Sequence, residues 1–148
     1  MKLKKRLLKF WNFWPPFLFS GIKIEKNSSD YREIRVRLKL RFWNCNYVGT
    51  QYGGLLFSMT DPFYMIMLIQ NLGEDHIVWD KETRIRYLKP GRTDVTAEFK
   101  ITEEDLNAIR LEVQEHGTMH WLRKVEIKDA NGEVIADVEK TIYIRKKR

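Results

Sequence analysis

The chain has 148 residues, 43% of them hydrophobic and 32% charged, which excludes a disordered chain and suits one globular domain or two small ones. Its 27 basic and 20 acidic residues give a formal net charge of +7, a balance that draws anionic partners: nucleic acid, anionic lipid or phosphorylated small molecules such as coenzyme A. A single cysteine, Cys45, excludes an intrachain disulfide and fits a reducing compartment.

The first segment, MKLKKRLLKFWNFWPPFLFSG, begins with positive charge and continues apolar. Lys9, Asn12 and the pair Pro15–Pro16 interrupt the apolar run, and no small-residue cleavage site follows, so a cleaved leader is not expected. The pattern predicts an amphipathic helix that ends at the proline pair, within an N-terminal unit of residues 1–19. Leu3, Leu7, Phe10, Trp11 and Trp14 are expected to dock it onto the main domain, residues 20–148. The same basic and aromatic residues leave a membrane-surface role open.

GIKIEKN reads as a short strand, and Ser28–Asp30 as the turn into its partner. That partner, REIRVRLKL, alternates strictly: Ile34, Val36, Leu38 and Leu40 on one face, Glu33, Arg35, Arg37 and Lys39 on the other. Such alternation marks a half-buried strand. Residues 53–72 then carry apolar side chains on nearly every side of a predicted helix. The length would suit a bilayer, but Asp61, Pro62, Gln70 and two leading glycines argue for a long helix buried at the centre of the fold. HIVWDKETRIRYLKPG is a strand ending at a Pro–Gly turn, and DVTAEFKI is a second alternating strand. Thr102, with Asp105 three residues later, has the spacing of a capping box, and the helix it opens is expected to stop at Gly117. WLRKVEIKD and EVIADVEKTIYIRKK are two strands joined through the hairpin signal Asn131–Gly132. The order predicts an α+β fold, with a mostly antiparallel sheet curled about one central helix.

A carboxylate inside that apolar helix needs a reason. Gly54 and Asp61 are seven positions apart, so they share a helix face at an axial separation of about 10 Å. One chain cannot bring both to one reacting carbon. Two chains with antiparallel neighbouring helices can, each Asp61 meeting the free N–H groups at the other's glycine-bearing helix start. Those groups have the chemistry of an oxyanion hole. Alternatively, Pro62 breaks the helix and Asp61 merely caps a new one.

The stretch Asn46-Tyr-Val-Gly49-Thr-Gln-Tyr52-Gly53-Gly54, followed by Asp61, resembles the hotdog-fold thioesterases, in particular their phenylacetyl-CoA thioesterase-like branch. Their pattern is Asn, two residues, Gly, two residues, His-Gly-Gly and then an acid eight positions after the first of the paired glycines. Trp14–Phe17, the TDPFY of residues 60–64 and the WDK of residues 79–81 are similar to a bacterial hotdog family of undefined activity, over nearly the whole chain. The resemblance implies a sheet wrapped round a long central helix, in a homodimer or dimer of dimers, and hydrolysis of an acyl-CoA thioester. By motif, Asp61 would be general base or nucleophile and the Gly53 amide the oxyanion donor, while Asn46, Tyr52 and Gly54 would shape the substrate site. The sequence departs from the pattern at Tyr52, where the family has histidine; a tyrosine still donates a hydrogen bond but titrates far above neutral.

Asp80 would position water, or else pair with Lys81 or stand as an exposed strand charge. Lys89 and Arg92 flank the Pro–Gly turn and would meet the phosphates of coenzyme A or simply be solvated. His76, His116 and His120 show no metal-ligand spacing, so neither a metal nor any other cofactor is expected. No nucleic-acid recognition motif accompanies the positive charge. The expected location is cytoplasmic. The competing reading is a non-catalytic acyl- or lipid-binding hotdog protein, associated with a membrane through its basic N-terminus.

Overall fold

The computed structural model describes residues 10–147. The chain runs through α1 (Pro15–Ser20), β1 (Ile22–Asn27), β2 (Glu33–Leu38), α2 (Gly53–Ser58), α3 (Phe63–Leu72), β3 (His76–Tyr87), β4 (Val95–Lys100), α4 (Glu103–His116), β5 (Thr118–Lys128) and β6 (Val134–Lys146). All six strands form one antiparallel sheet in the order β1-β2-β4-β5-β6-β3. The sheet curls round the α2–α3 segment, the α+β hotdog architecture that the sequence implies.

The alternating residues do what their period dictates. Ile34, Val36 and Leu38 of β2 and Val95, Ala97 and Phe99 of β4 turn inward and are buried. The buried face of α3, Phe63, Tyr64, Ile66, Met67 and Leu68, fills the concavity. Phe63 and Tyr64 each bring their rings to 5.1 Å from Phe99, and Tyr64 also meets Trp121 edge-on at 5.4 Å. Burying aromatic rings in such tilted and edge-on contacts contributes beyond the area they remove from water. Thr102 caps α4 as expected: its side chain accepts from the Asp105 N–H, and the Asp105 carboxylate accepts from the Thr102 N–H. Gly117 closes that helix with φ of 79°, a left-handed value that glycine adopts freely.

Two expectations about helices change. The single long central helix is two helices, α2 and α3, separated at residues 59–62 around a cis Asp61–Pro62 bond. A proline inside a helix lacks the N–H and clashes with the preceding turn, so the chain leaves the helix and starts another. Pro62, not Asp61, is the N-cap of α3, and no side chain caps it. The N-terminal helix does not run up to the proline pair either. Residues 10 and 11 are helical, a turn follows, and Pro15–Pro16 open α1, where a missing N–H costs nothing. Asn12 bridges to β1 by accepting from the Ile24 N–H at 2.8 Å and donating to the Ile24 carbonyl at 3.2 Å. Phe17 is buried against Phe63 with centroids 5.9 Å apart, Trp11 is half-buried, and Phe10 and Trp14 are exposed. Leu3 and Leu7 lie outside the described residues. Among the described residues no helix is long and apolar enough to cross a membrane.

Candidate functional site

The start of α2 is held by the loop before it. Asn44 is buried and serves three backbone groups: its amide donates to the Ser20 and Lys39 carbonyls at 2.7 and 2.8 Å, and its oxygen accepts from the Arg41 N–H at 2.7 Å. Asn46 closes the next turn, accepting from the N–H groups of Val48 and Thr50 and donating to the Thr50 hydroxyl at 2.8 Å. Gln51 is buried and ties the loop to the sheet through the Leu38 and Thr93 carbonyls. Asn46 is thus a scaffold residue of the loop, with its side chain committed to backbone and to Thr50.

Gly53 and Gly54 occupy the first two positions of α2, where N–H groups have no partner within the helix. Both are crowded by tyrosines. A Cβ on Gly53 would lie 3.1 Å from the Tyr87 ring, and one on Gly54 only 2.6 Å from the Tyr52 ring. The Tyr87 hydroxyl donates to the Gly53 carbonyl at 3.1 Å. Two grooves flank this helix start. One, of about 420 Å³, runs past Gly53, Gln51, Tyr87 and Lys89. The other, of about 510 Å³, is walled by Phe19, Trp43, Tyr47, Tyr52 and Leu55. Lys89 lies in the first but pairs with Glu133; Arg92 is exposed and lines neither.

Asp61 sits elsewhere, at the break between α2 and α3, with its side chain 54% exposed. Its partner is Lys140 of β6, fully buried, whose Nζ lies 3.4 Å from Asp61 Oδ1, 3.0 Å from Asp80 Oδ2 and 3.2 Å from the Thr60 carbonyl. Asp80 is therefore neither paired with Lys81 nor an exposed strand charge. It turns inward and is 17% exposed, while Lys81 points out to His120, 2.9 Å away. Asp80 faces inward by the ordinary alternation after Val78 and Trp79, and the β-bulge falls on Lys81, so that Lys81 and Glu82 both face out. Burial pushes the Asp80 carboxyl above its ordinary value; Lys140 pulls it down, and the Asp61 carboxylate beside it pushes it up again.

The structure thus gathers Asn46, Tyr52, Gly53, Gly54 and Lys89 at the helix start, and Asp61 with Asp80 at the break. Asp61 lines neither groove beside the glycines. Tyr87 and Lys140 were not among the expected site residues. Tyr87 ends an alternating strand, and nothing in that pattern aims its hydroxyl at the Gly53 carbonyl. Lys140 carries one: the inward row of β6 is Ala136, Val138, Lys140, Ile142 and Ile144, and a lone lysine in an apolar row marks a buried charge.

The fold is shared with solved structures. A protein of unknown function from Pseudomonas aeruginosa, described as a probable thioesterase, superposes with a TM-score of 0.82 at 21% identity, over 99% of both chains. A protein of unknown function from Chlorobaculum tepidum gives 0.74 at 18% identity, over 97% of this chain and 94% of that one. A thioesterase from Haemophilus influenzae gives 0.70 at 14% identity, over 99% and 93%. No curated protein matches the sequence. Residues 4–144 match the model of one family, and with that match spanning nearly the whole chain, the protein is a member of the family described as "Domain of unknown function (DUF4442)".

Proposed function

We propose that the protein hydrolyses acyl-CoA thioesters as a homo-oligomer, with Asp61 of one protomer acting opposite the Gly53 N–H of another. The observation that carries this reading is the state of Asp61: its carboxylate is open to solvent yet anchored from beneath by a buried lysine. That is what a group needs if it is to meet water and an ester in a fixed direction.

As general base, Asp61 takes a proton from water as the water oxygen bonds to the thioester carbonyl carbon. The resulting oxyanion is received by the Gly53 N–H. When the intermediate collapses, the carbon–sulfur bond breaks, the thiolate takes the proton from Asp61, and free acid and coenzyme A leave. As nucleophile, the Asp61 carboxylate would instead attack the carbonyl carbon and break the carbon–sulfur bond, giving an anhydride; water then opens it to free acid and the restored carboxylate, and the released proton goes to the coenzyme A thiolate. Only the nucleophilic route places oxygen from labelled water in the Asp61 side chain.

The separation of Asp61 from the glycine end within one chain supports a two-chain site. So does the exposed apolar band beside the helix start, with Phe42, Trp43, Tyr47 and Tyr52 all more than half exposed, at 88%, 59%, 105% and 53%. Apolar bands of this kind mark protein or membrane contacts. The aromatic groove would take a medium or long acyl or aryl group, and Tyr52 would border it. A coenzyme A ester substrate fits a cytoplasmic location. The test is hydrolysis of a panel of acyl-CoA esters by the native protein and by Asp61→Asn. Full turnover by the variant would remove Asp61 from the chemistry.

A second reading, a non-catalytic lipid-binding protein on a membrane surface, is favoured by the exposed Phe10, Phe13 and Phe19 near the basic N-terminal sequence. Sedimentation with anionic vesicles, co-purified acyl ligand and no turnover would select it.

A further inference from the structure

A lysine ammonium inside a protein is costly unless each N–H finds an acceptor and the charge is met. Lys140 satisfies both conditions, with three N–H groups and three oxygens: the Thr60 carbonyl, Asp61 Oδ1 and Asp80 Oδ2. Two of these oxygens belong to the break between α2 and α3, and the third to β3. The ammonium therefore ties the helix break to the sheet. The bond to Asp80 is the shorter, and Asp80 Oδ1 is buried with no hydrogen-bond partner among the described residues.

Other charges near the cluster are already committed. Arg123 of β5 stands directly across from Lys140 in register, but it pairs with Asp105 of α4 and lies over the Trp121 ring. On the other side Lys140 faces Thr83 of β3, which is uncharged. The groups acting on the two carboxylates are thus Lys140 from β6 and each other, with the Arg123–Asp105 pair beyond.

We propose that Lys140 is a positioning residue for Asp61, and that Asp80 is the counter-charge that lets the lysine be buried where it can do this. The inference rests on the reading of Asp61 as the reacting acid. An apolar residue of the same length would fill the position at lower cost. What the ammonium adds is a direction for Asp61, whose exposure would otherwise leave its carboxylate free to rotate. Asp80 takes up the excess positive charge without competing for solvent, because it is turned inward.

The test uses Lys140→Met, Lys140→Arg and the double variant Lys140→Met/Asp80→Asn, with folding checked by two-dimensional NMR. The single methionine variant leaves Asp80 buried without its cation, so it is the one at risk of unfolding; the double variant leaves no unpaired buried charge. In the double variant kcat on the best acyl-CoA ester is expected to fall about 100-fold, with KM changed by less than about 3-fold, as for a misdirected catalytic group. Lys140→Arg should recover part of that loss. A second readout is independent of turnover. The carbon-13 titration of the Asp80 carboxyl should move up in Lys140→Met and down in Asp61→Asn. A folded double variant with kcat within about 2-fold of the native protein overturns the inference. So does an Asp80 titration that neither substitution moves, even with hydrolysis intact. If the native protein cleaves no ester, the thioesterase reading fails instead, and the carbon titration alone decides whether the three groups are coupled.

Discussion

Asp61 combines two properties that normally exclude each other. A carboxylate with half its surface in water is usually mobile, and one that is fixed is usually buried. Here the fixing comes from below, through Lys140, and the surface stays open. Asp61→Asn keeps the size and loses the base, and is expected to reduce kcat by about 100-fold or more, measured by thiol release from acyl-CoA esters. Asp80 makes a separate prediction. Burial raises its carboxyl in the folded protein, so the fold holds that proton more tightly than the unfolded chain does. The stabilisation this gives is complete below the ordinary carboxylate range and is lost as pH rises through the raised folded value. The stability of the native protein relative to Asp80→Asn should therefore decline across that window. Denaturant melts of both proteins from about pH 3 to about pH 8 measure it, and two parallel curves would refute the linkage.

Elements were legible in proportion to how local their causes are. Thr102 and Asp105 are three residues apart and specify a helix start by themselves; Thr102→Ala should cost about 1 kcal/mol, read as a shift in the denaturant midpoint. The strands were legible from alternation, and the β5–β6 hairpin from Asn131–Gly132, whose glycine has φ of 83°. The division of the central helix was not legible from periodicity. Leu56, Met59, Phe63 and Met67 are buried on both sides of the break, so the apolar pattern runs through it. The Asp–Pro pair was the only local sign, and it fits a kink as well as a restart. The joint before β1 depends on contacts distant in sequence. Gly21 has φ of 83°, and a Cβ there would meet Asn44 Nδ2 at 2.8 Å and the Lys39 carbonyl at 3.2 Å. Gly21→Ala should destabilise by about 1–2 kcal/mol from the left-handed backbone alone, with a further loss if Asn44 is displaced; a thermal melt checks it.

At the scale of the whole molecule, the proposed two-chain site makes a prediction that a one-chain site does not. Gly53 is the first residue of α2 and Tyr52 before it is extended, at φ −70° and ψ 125°. A proline at position 53 therefore suits the backbone and removes the N–H, but it also sets a Cβ 3.1 Å from the Tyr87 ring, so the fold of the variant is checked first by two-dimensional NMR. Gly53→Pro and Asp61→Asn should each be inactive alone. Mixed after dissociation and reassembly, they should regain activity, because one site in each mixed dimer then carries both native groups. No recovery from an exchanged mixture would place both groups of a site in one chain. The gathering of Asp80 and Lys140 was also beyond the sequence, because it depends on which strands become neighbours, and their pairing crosses from β3 to β6.

That crossing governs how the molecule comes together. Among the described residues β3 has no neighbour in the sheet except β6, and between them the chain must first lay down β4, α4 and β5. During synthesis β3 waits, its edge unsatisfied and its inward aspartate without a cation, until the strand bearing that cation is made. Closure over so long a loop is slow compared with hairpin formation. The contacts that join Asp61, Asp80 and Lys140 are accordingly expected to form late in folding, when β6 slots between β5 and β3.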